Sequence, residues 1–222
     1  IRKIFKNNRY PILIDQEGGR VNRLKNLISF DNLTSEFFGK KFINKPKEFN
    51  SFYKLFIDKT SELLKLIGVN INTSPVLDLR VKGSSNIIGD RSFSNNPKIV
   101  SKIGDICINN YHQNGIATVI KHMPGHGLAK VDSHNFTPVV NKEFDYLRKK
   151  DFFPFRKKNS IFAMTAHIIF KKIDAQNTVT HSKKMISLIR KNIGFKSILI
   201  SDDLSMKSLK SSISQNTIRA FN

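Results

Sequence analysis

The sequence predicts an α/β fold, a parallel sheet with helical crossovers, on three observations. Short runs rich in β-branched residues alternate with amphipathic stretches of helical period. Three of those helical stretches run into a glycine just before the next strand: Gly68, Gly115 and Gly194. Five strand runs end in clusters of Asp, His, Lys or Glu. That third observation separates two architectures. An open doubly wound sheet concentrates its ligands at one switch point, whereas a (β/α)8, or TIM-type, barrel draws polar groups from many strand ends onto one face. The barrel is the better fit. A full one takes about 250 residues and eight strands, so with five found either three strands escape the pattern or the chain is a fragment.

Each element has its own warrant. Residues 11–15 form the first apolar run, followed by Gln16-Glu17-Gly18-Gly19-Arg20. Across residues 49–67, Phe52, Leu55, Phe56, Leu63, Leu64 and Ile67 recur at helical spacing. Residues 68–76 are the second strand run, with Leu77-Asp78-Leu79-Arg80 behind it. A helix over 97–114 leads to the third run, 115–120, which ends in Lys121-His122. The fourth run, 161–165, ends in Ala166-His167; a helix over 183–193 then precedes the fifth, 197–200, and Ser201-Asp202-Asp203.

The totals are consistent with one domain over residues 1–222. A hydrophobic fraction of 39% and a charged fraction of 25% suit a globular chain. No run approaches the ~18 apolar residues of a membrane span, so no membrane partner is expected. Cys107 is alone, which excludes an intrachain disulfide. A net charge of +21 invites a nucleic-acid reading. The excess is lysine spread along the chain beside abundant Asn, Ile and Phe, as AT-rich codons produce, and not a patch. Lys40, Lys41, Lys45 and Lys47, and likewise Arg148, Lys149 and Lys150, read as solvated helix faces. A non-enzymatic basic module that binds nucleic acid or anions is therefore the minor alternative, since charge alone specifies no site.

Chemistry concentrates in residues 121–134, with Lys121, His122, His126, Asp132 and His134 among glycines and a proline that rule out helix. A metal site built from the histidines and Asp132 matches no ligand spacing, and Lys121 would set a positive charge beside the cation, so no metal is expected. Asp132 and His134 lie two apart, so in extended chain they project to one side. Their contact would fix the imidazole tautomer and raise its basicity. Asp202 and Asp203 end an apolar strand; Asp202 is expected to face the barrel mouth, while Asp203 or Ser205 suits a cap. Gly18 and Gly19 behind Asp15 and Glu17 imply close backbone approach, and Arg91 offers a fork for a polar ligand.

Taken together these segments resemble glycoside hydrolase family 3, in its bacterial β-N-acetylglucosaminidase branch. The resemblance rests on the stretch from Ile14 to Val21 around Asp15-Gln16-Glu17-Gly18-Gly19-Arg20, on residues 72–79, and on Ile88-Gly89-Asp90-Arg91-Ser92-Phe93-Ser94. It rests further on Lys121-His122-Met123-Pro124-Gly125-His126-Gly127 with Asp132-Ser133-His134, on Thr165-Ala166-His167, and on Ser201-Asp202-Asp203-Leu204-Ser205-Met206. These occur in the family's order over nearly the whole chain. The five strands then correspond to about the third to seventh of the family's barrel, which implies that its N- and C-terminal parts are missing and that the chain alone folds poorly. Two departures stand out: Met123 replaces a more usual Phe, a volume-similar swap, and Thr73 replaces an aromatic, which is expected to loosen packing.

The resemblance implies a retaining exo-β-N-acetylglucosaminidase that needs no cofactor. Asp202 would be the nucleophile, His134 the acid/base and Asp132 its partner. Asp15, Arg91, Lys121 and His122 would bind the sugar; Glu17 and Asp78 would hold loops, and His167 would line the pocket floor. The implied substrate is a small muropeptide of cell-wall recycling, acted on in the cytoplasm by a monomer. A histidine base does not repel an anion as a carboxylate does, so phosphorolysis is a variant of the same reading.

Overall fold

A computed structural model describes residues 1–7 and 9–221. Seven strands and six α-helices follow one another among the described residues: β1 (Leu13–Ile14), α1 (Ser35–Asn44), α2 (Pro46–Leu66), β2 (Ile71–Asn72), α3 (Pro97–Gln113) and β3 (Ala117–Met123). They continue through β4 (Val139–Val140), α4 (Phe144–Lys149), β5 (Phe162–Thr165), β6 (Ile169–Phe170), α5 (Lys183–Leu188), β7 (Ile198–Ser201) and α6 (Ile213–Phe221). Five strands form one parallel sheet in the order β1-β2-β3-β5-β7, flanked by helices as a half-barrel. The sheet does not close on itself among the described residues. Leu13 on β1 and Ile198 on β7 are about half exposed at its two edges. The remaining pair, β4 and β6, is a short parallel bridge outside that sheet.

The expected elements are present with shifted ends. The first two strand runs shorten to two residues each, because the backbone leaves the ladder early to enter the loops that carry Asp15 and Thr73. The third lengthens instead: β3 runs through Met123, so Lys121 and His122 sit within the strand and not behind it. A register shift between Ile120 and Met123 against β5 marks the place where the pleat is broken. In α2 the buried stripe is Phe49, Tyr53, Phe56, Ile57 and Leu64, whereas Leu55 and Ile67, which share the helical spacing, are about half exposed. Beyond Leu188, α5 widens into a π-helical turn, Ile189–Ile193, which Gly194 ends at φ 83°. That is the left-handed cap the sequence predicts there.

The core sits between the sheet and α2 and α3, with Ile120, Leu64, Ile57 and Ile103 fully buried. Each such side chain contributes roughly 1.5–3 kcal/mol. An aromatic cluster ties α1 to α2: Phe38 lies 4.6 Å from Tyr53 and 5.0 Å from Phe56, centroid to centroid. α1 also approaches the segment behind Arg91 so closely that a Cβ on Gly39 would stand 1.7 Å from the Phe93 carbonyl oxygen. Helix packing thereby sets the height of the loop that carries Arg91. Thr34 caps α1 by accepting from the Phe37 N–H at 3.0 Å. No helix among the described residues is long and apolar enough to cross a membrane.

Candidate active site

The C-terminal ends of β1, β2 and β3 converge on one buried charge network. After β1 the chain stays pinned to β2, with the Gln16 N–H donating to Asn72 Oδ1 at 3.0 Å and Asn72 Nδ2 donating to the Gln16 carbonyl at 2.8 Å. The turn that follows uses both glycines. Gly18 and Gly19 have φ of 97° and 53°, and Cβ atoms there would meet Leu33 O at 2.5 Å and Thr34 Cγ2 at 2.8 Å. This close approach delivers Asp15 and Glu17 toward Lys121.

Lys121 is 2% exposed, and its three N–H donors are all taken. Nζ lies 2.7 Å from Asp15 Oδ1, 2.6 Å from Glu17 Oε1 and 2.9 Å from Thr73 Oγ1. The Thr73 hydroxyl also bonds Asp15. Arg91 closes the network from its 3-10 turn, Gly89–Arg91, with Nε and Nη2 each 2.8 Å from the two oxygens of Glu17. The fork expected to take a ligand holds Glu17 instead. Burial alone would raise the Glu17 carboxyl, but the charges of Lys121 and Arg91 outweigh it and hold Glu17 well below the usual carboxylate range. Burial likewise opposes ionisation of Asp15, and Lys121 reverses it. Glu17 and Arg91 are mutually stabilised in their charged forms, Arg91 being held above its ordinary value against its own burial. Thr73 does not loosen the packing: it is fully buried and carries two of the network's hydrogen bonds.

Asp78 organises the next layer. Fully buried, it lies 2.6 Å from His122 Nδ1 and accepts from the backbone N–H of His122 at 3.2 Å and of His126 at 2.7 Å. Burial raises its carboxyl, and His122 foremost pulls it back below the ordinary value. The second ring nitrogen of His122 makes no hydrogen bond among the described residues. The His126 ring reaches forward, with Nε2 3.1 Å from the Ser133 hydroxyl. Sequence reasoning passed over this tether; its signal was Ser133, a small polar residue buried between Asp132 and His134.

Asp132 and His134 do meet. Asp132 Oδ1 lies 2.8 Å from His134 Nδ1 and also accepts the His134 N–H at 2.8 Å. The side chains are open to solvent, 38% and 63% exposed respectively. At the far edge, Asp202 follows β7 and is half-buried, its Oδ1 accepting the Asp203 N–H at 2.8 Å. Asp203 accepts the Ser205 N–H at 2.8 Å and so serves as a local cap. Ser205 chiefly holds the Asp203 carboxyl below its ordinary value, with smaller contributions from His167 and His134. His167 is buried, its ring nitrogens 2.8 Å from Thr180 Oγ1 and 3.0 Å from the Asp203 carbonyl. Burial lowers its basicity, and the charge of Asp202 acts in the opposite sense. No group of three or more His, Cys, Asp or Glu side chains forms a metal-holding cluster among the described residues.

The chain and its fold have counterparts among known proteins. The beta-hexosaminidase of Hydrogenovibrio crunogenus is 34% identical over 198 residues, a match that takes in 88% of this chain and 55% of that protein. The beta-hexosaminidase of Nitrosomonas eutropha is 31% identical over 207 residues, 90% of this chain and 58% of that protein. The chain thus spans little more than half the length of these curated relatives. Among solved structures, native NagZ from Neisseria gonorrhoeae superposes with a TM-score of 0.85 at 27% identity, over 95% of this chain and 62% of that one. A glycoside hydrolase family 3 beta-N-acetylglucosaminidase from Paenibacillus sp. gives 0.83 at 27% identity, over 95% and 40%. The pattern described as the glycosyl hydrolase family 3 N terminal domain matches residues 3–220, so the chain belongs to that family.

Proposed function

We propose that this chain carries the active site of a retaining exo-β-N-acetylglucosaminidase. The observation that carries the reading is the 2.8 Å contact between Asp132 Oδ1 and His134 Nδ1, on a solvent-open segment whose continuation is tied behind β7 by the Thr137 hydroxyl, which donates to the Ser208 carbonyl at 2.6 Å. In the first step an Asp202 oxygen bonds to the anomeric carbon, the bond from that carbon to the leaving oxygen breaks, and the His134 imidazolium gives the leaving oxygen a proton. In the second, His134 takes a proton from water, whose oxygen displaces Asp202 and releases the sugar with retained configuration. Asp132 orients the ring and offsets its positive charge.

Asp15 and His122 present polar edges to the sugar. Lys121 and Arg91, whose donors are committed to Asp15, Glu17 and Thr73, fix those edges and supply positive potential. Glu17 and Asp78 hold the loops in register, and His167 backs Asp202 from below. Relatives named beta-hexosaminidase and neighbours named beta-N-acetylglucosaminidase or NagZ support the substrate class. Within it, a β-linked N-acetylglucosamine muropeptide in cytoplasmic cell-wall recycling is the reading the motif resemblance supports.

The test is release of the chromophore from a chromogenic β-N-acetylglucosaminide by the protein as its locus encodes it. His134→Ala is expected to lower kcat by about 10²- to 10⁴-fold. Asp202→Ala is expected to abolish turnover, and an active Asp202→Ala variant overturns the reading. Adding phosphate separates the hydrolase from its variant: sugar 1-phosphate among the products would assign phosphorolysis.

A further inference from the structure

Asp151 is a buried carboxyl that the proposed reaction leaves unused. It follows α4, is 1% exposed, and neither of its carboxyl oxygens has a hydrogen-bond partner among the described residues. An unpaired buried carboxylate is strongly disfavoured, so such a group needs an explanation. Its position accounts for two glycines. A Cβ on Gly125 would stand 2.7 Å from the Asp151 Cβ, and one on Gly127 would stand 2.9 Å from Asp151 Oδ1. The Asp151 side chain therefore fills the space where side chains at 125 and 127 would go. The same turn hangs from Asp78 by the His126 N–H, and it holds the dyad segment through His126 Nε2 and Ser133. Two carboxyls brace one turn: Asp78 with donors, Asp151 without.

Few other charges bear on Asp151. The segment behind β2 contributes Asp78, Arg80 and Lys82, and its own segment contributes Lys150. The turn offers only glycines and His126, whose ring is directed at Ser133. Arg80, Lys82 and Lys150 share with Asp151 the walls of a cleft of about 230 Å³. Burial, reinforced by the charge of Asp78, pushes the Asp151 carboxyl up to about 8. The native state thus keeps a proton that the unfolded chain releases above 3.8, and stability falls as pH rises from there to about 8.

We propose that Asp151 is a positioning residue with a switchable charge. Uncharged, its carboxyl braces the turn at Gly125 and Gly127, and through Ser133 the Asp132–His134 pair; charged, it repels Asp78 and loosens both. The inference rests on the reading of His134 as acid/base only for its catalytic consequence, an alkaline fall in kcat without a matching rise in KM.

Two measurements on the full chain judge it without reference to activity. Hydrogen exchange of residues 123–135, corrected for intrinsic rates, should show protection lost in the wild type as pH passes about 8, and no such loss in Asp151→Asn. Infrared difference spectra should show a protonated-carboxyl band at neutral pH that disappears over the same range and is absent from the variant. Asp151→Ala, also unable to ionise, should give the same pH-flat exchange, so the outcome does not depend on one variant folding. With substrate, kcat should fall less steeply on the alkaline side in Asp151→Asn than in the wild type, the general acid His134 being common to both. An alkaline loss of protection that persists in both variants, or a wild type with no protonated carboxyl at neutral pH, overturns the proposal. A protein without glycosidase activity at any pH defeats the reading of His134, and the exchange and infrared results still decide Asp151.

Discussion

The two ends of the half-barrel are built on opposite principles. At the β1–β2–β3 end, Glu17, Lys121, Arg91 and Asp78 are buried and interlocked, each charge matched by a partner within 2.8 Å. Toward β7, Asp132 and His134 are open to water and Asp202 is half-buried with one local hydrogen bond. The first arrangement suits recognition: groups locked by neighbours lose no orientation when a sugar binds. The second suits chemistry, because a group that must give and then take a proton needs freedom and access to water. His126 joins the two, its backbone hung on Asp78 and its ring on Ser133.

The largest break in this contrast should come from Glu17→Ala. It strands Lys121 and Arg91 as buried charges and should cost about 3–5 kcal/mol in urea unfolding. Asp132→Ala, at the open end, should cost no more than about 1 kcal/mol while greatly reducing turnover. Equal losses of stability from the two variants would erase the distinction. Acid should act next, on the link. Burial lowers His126 from its ordinary 6.5 to about 4, so the unfolded chain binds a proton there that the native state does not. Stability should fall as pH drops from 6.5 to about 4, and thermal melts of His126→Gln should lack that slope. The smallest effect belongs to Ser133→Ala, about 1 kcal/mol of stability for one hydrogen bond. Its signature is kinetic, a lower kcat at unchanged KM, since it frees the dyad and leaves the sugar contacts in place.

The parallel half-barrel was legible because its signals are local. Apolar runs, amphipathic stretches and terminal glycines report strand, helix and cap directly, and the glycine at 194 adopts the left-handed backbone its position implies. The Asp132–His134 contact was legible for the same reason, since two residues of spacing suffice to predict it. The charge network was legible only as a set of residue types. That Arg91 grips Glu17, 74 positions away, depends on how α1 seats the loop around Phe93, and no spacing rule encodes it. In sequence Thr73 looks like a packing defect, because its partners, Asp15 and Lys121, are brought to it only by adjacent strands. Asp151 gave no signal, standing beside Arg148, Lys149 and Lys150 in what reads as a solvated run. The run is solvated, and Asp151 turns inward behind it.

Covalent trapping bears most directly on the proposed chemistry. The protein, incubated with a fluorinated N-acetylglucosaminyl donor that forms the glycosyl–enzyme faster than it is hydrolysed, is digested and its peptides mapped by mass spectrometry. One sugar adduct is expected, on Asp202, which forms in wild type, accumulates in His134→Ala when the leaving group needs no proton, and is absent from Asp202→Ala. An adduct on any other residue, or turnover of the natural linkage by Asp202→Ala, would overturn the assignment of Asp202 as nucleophile.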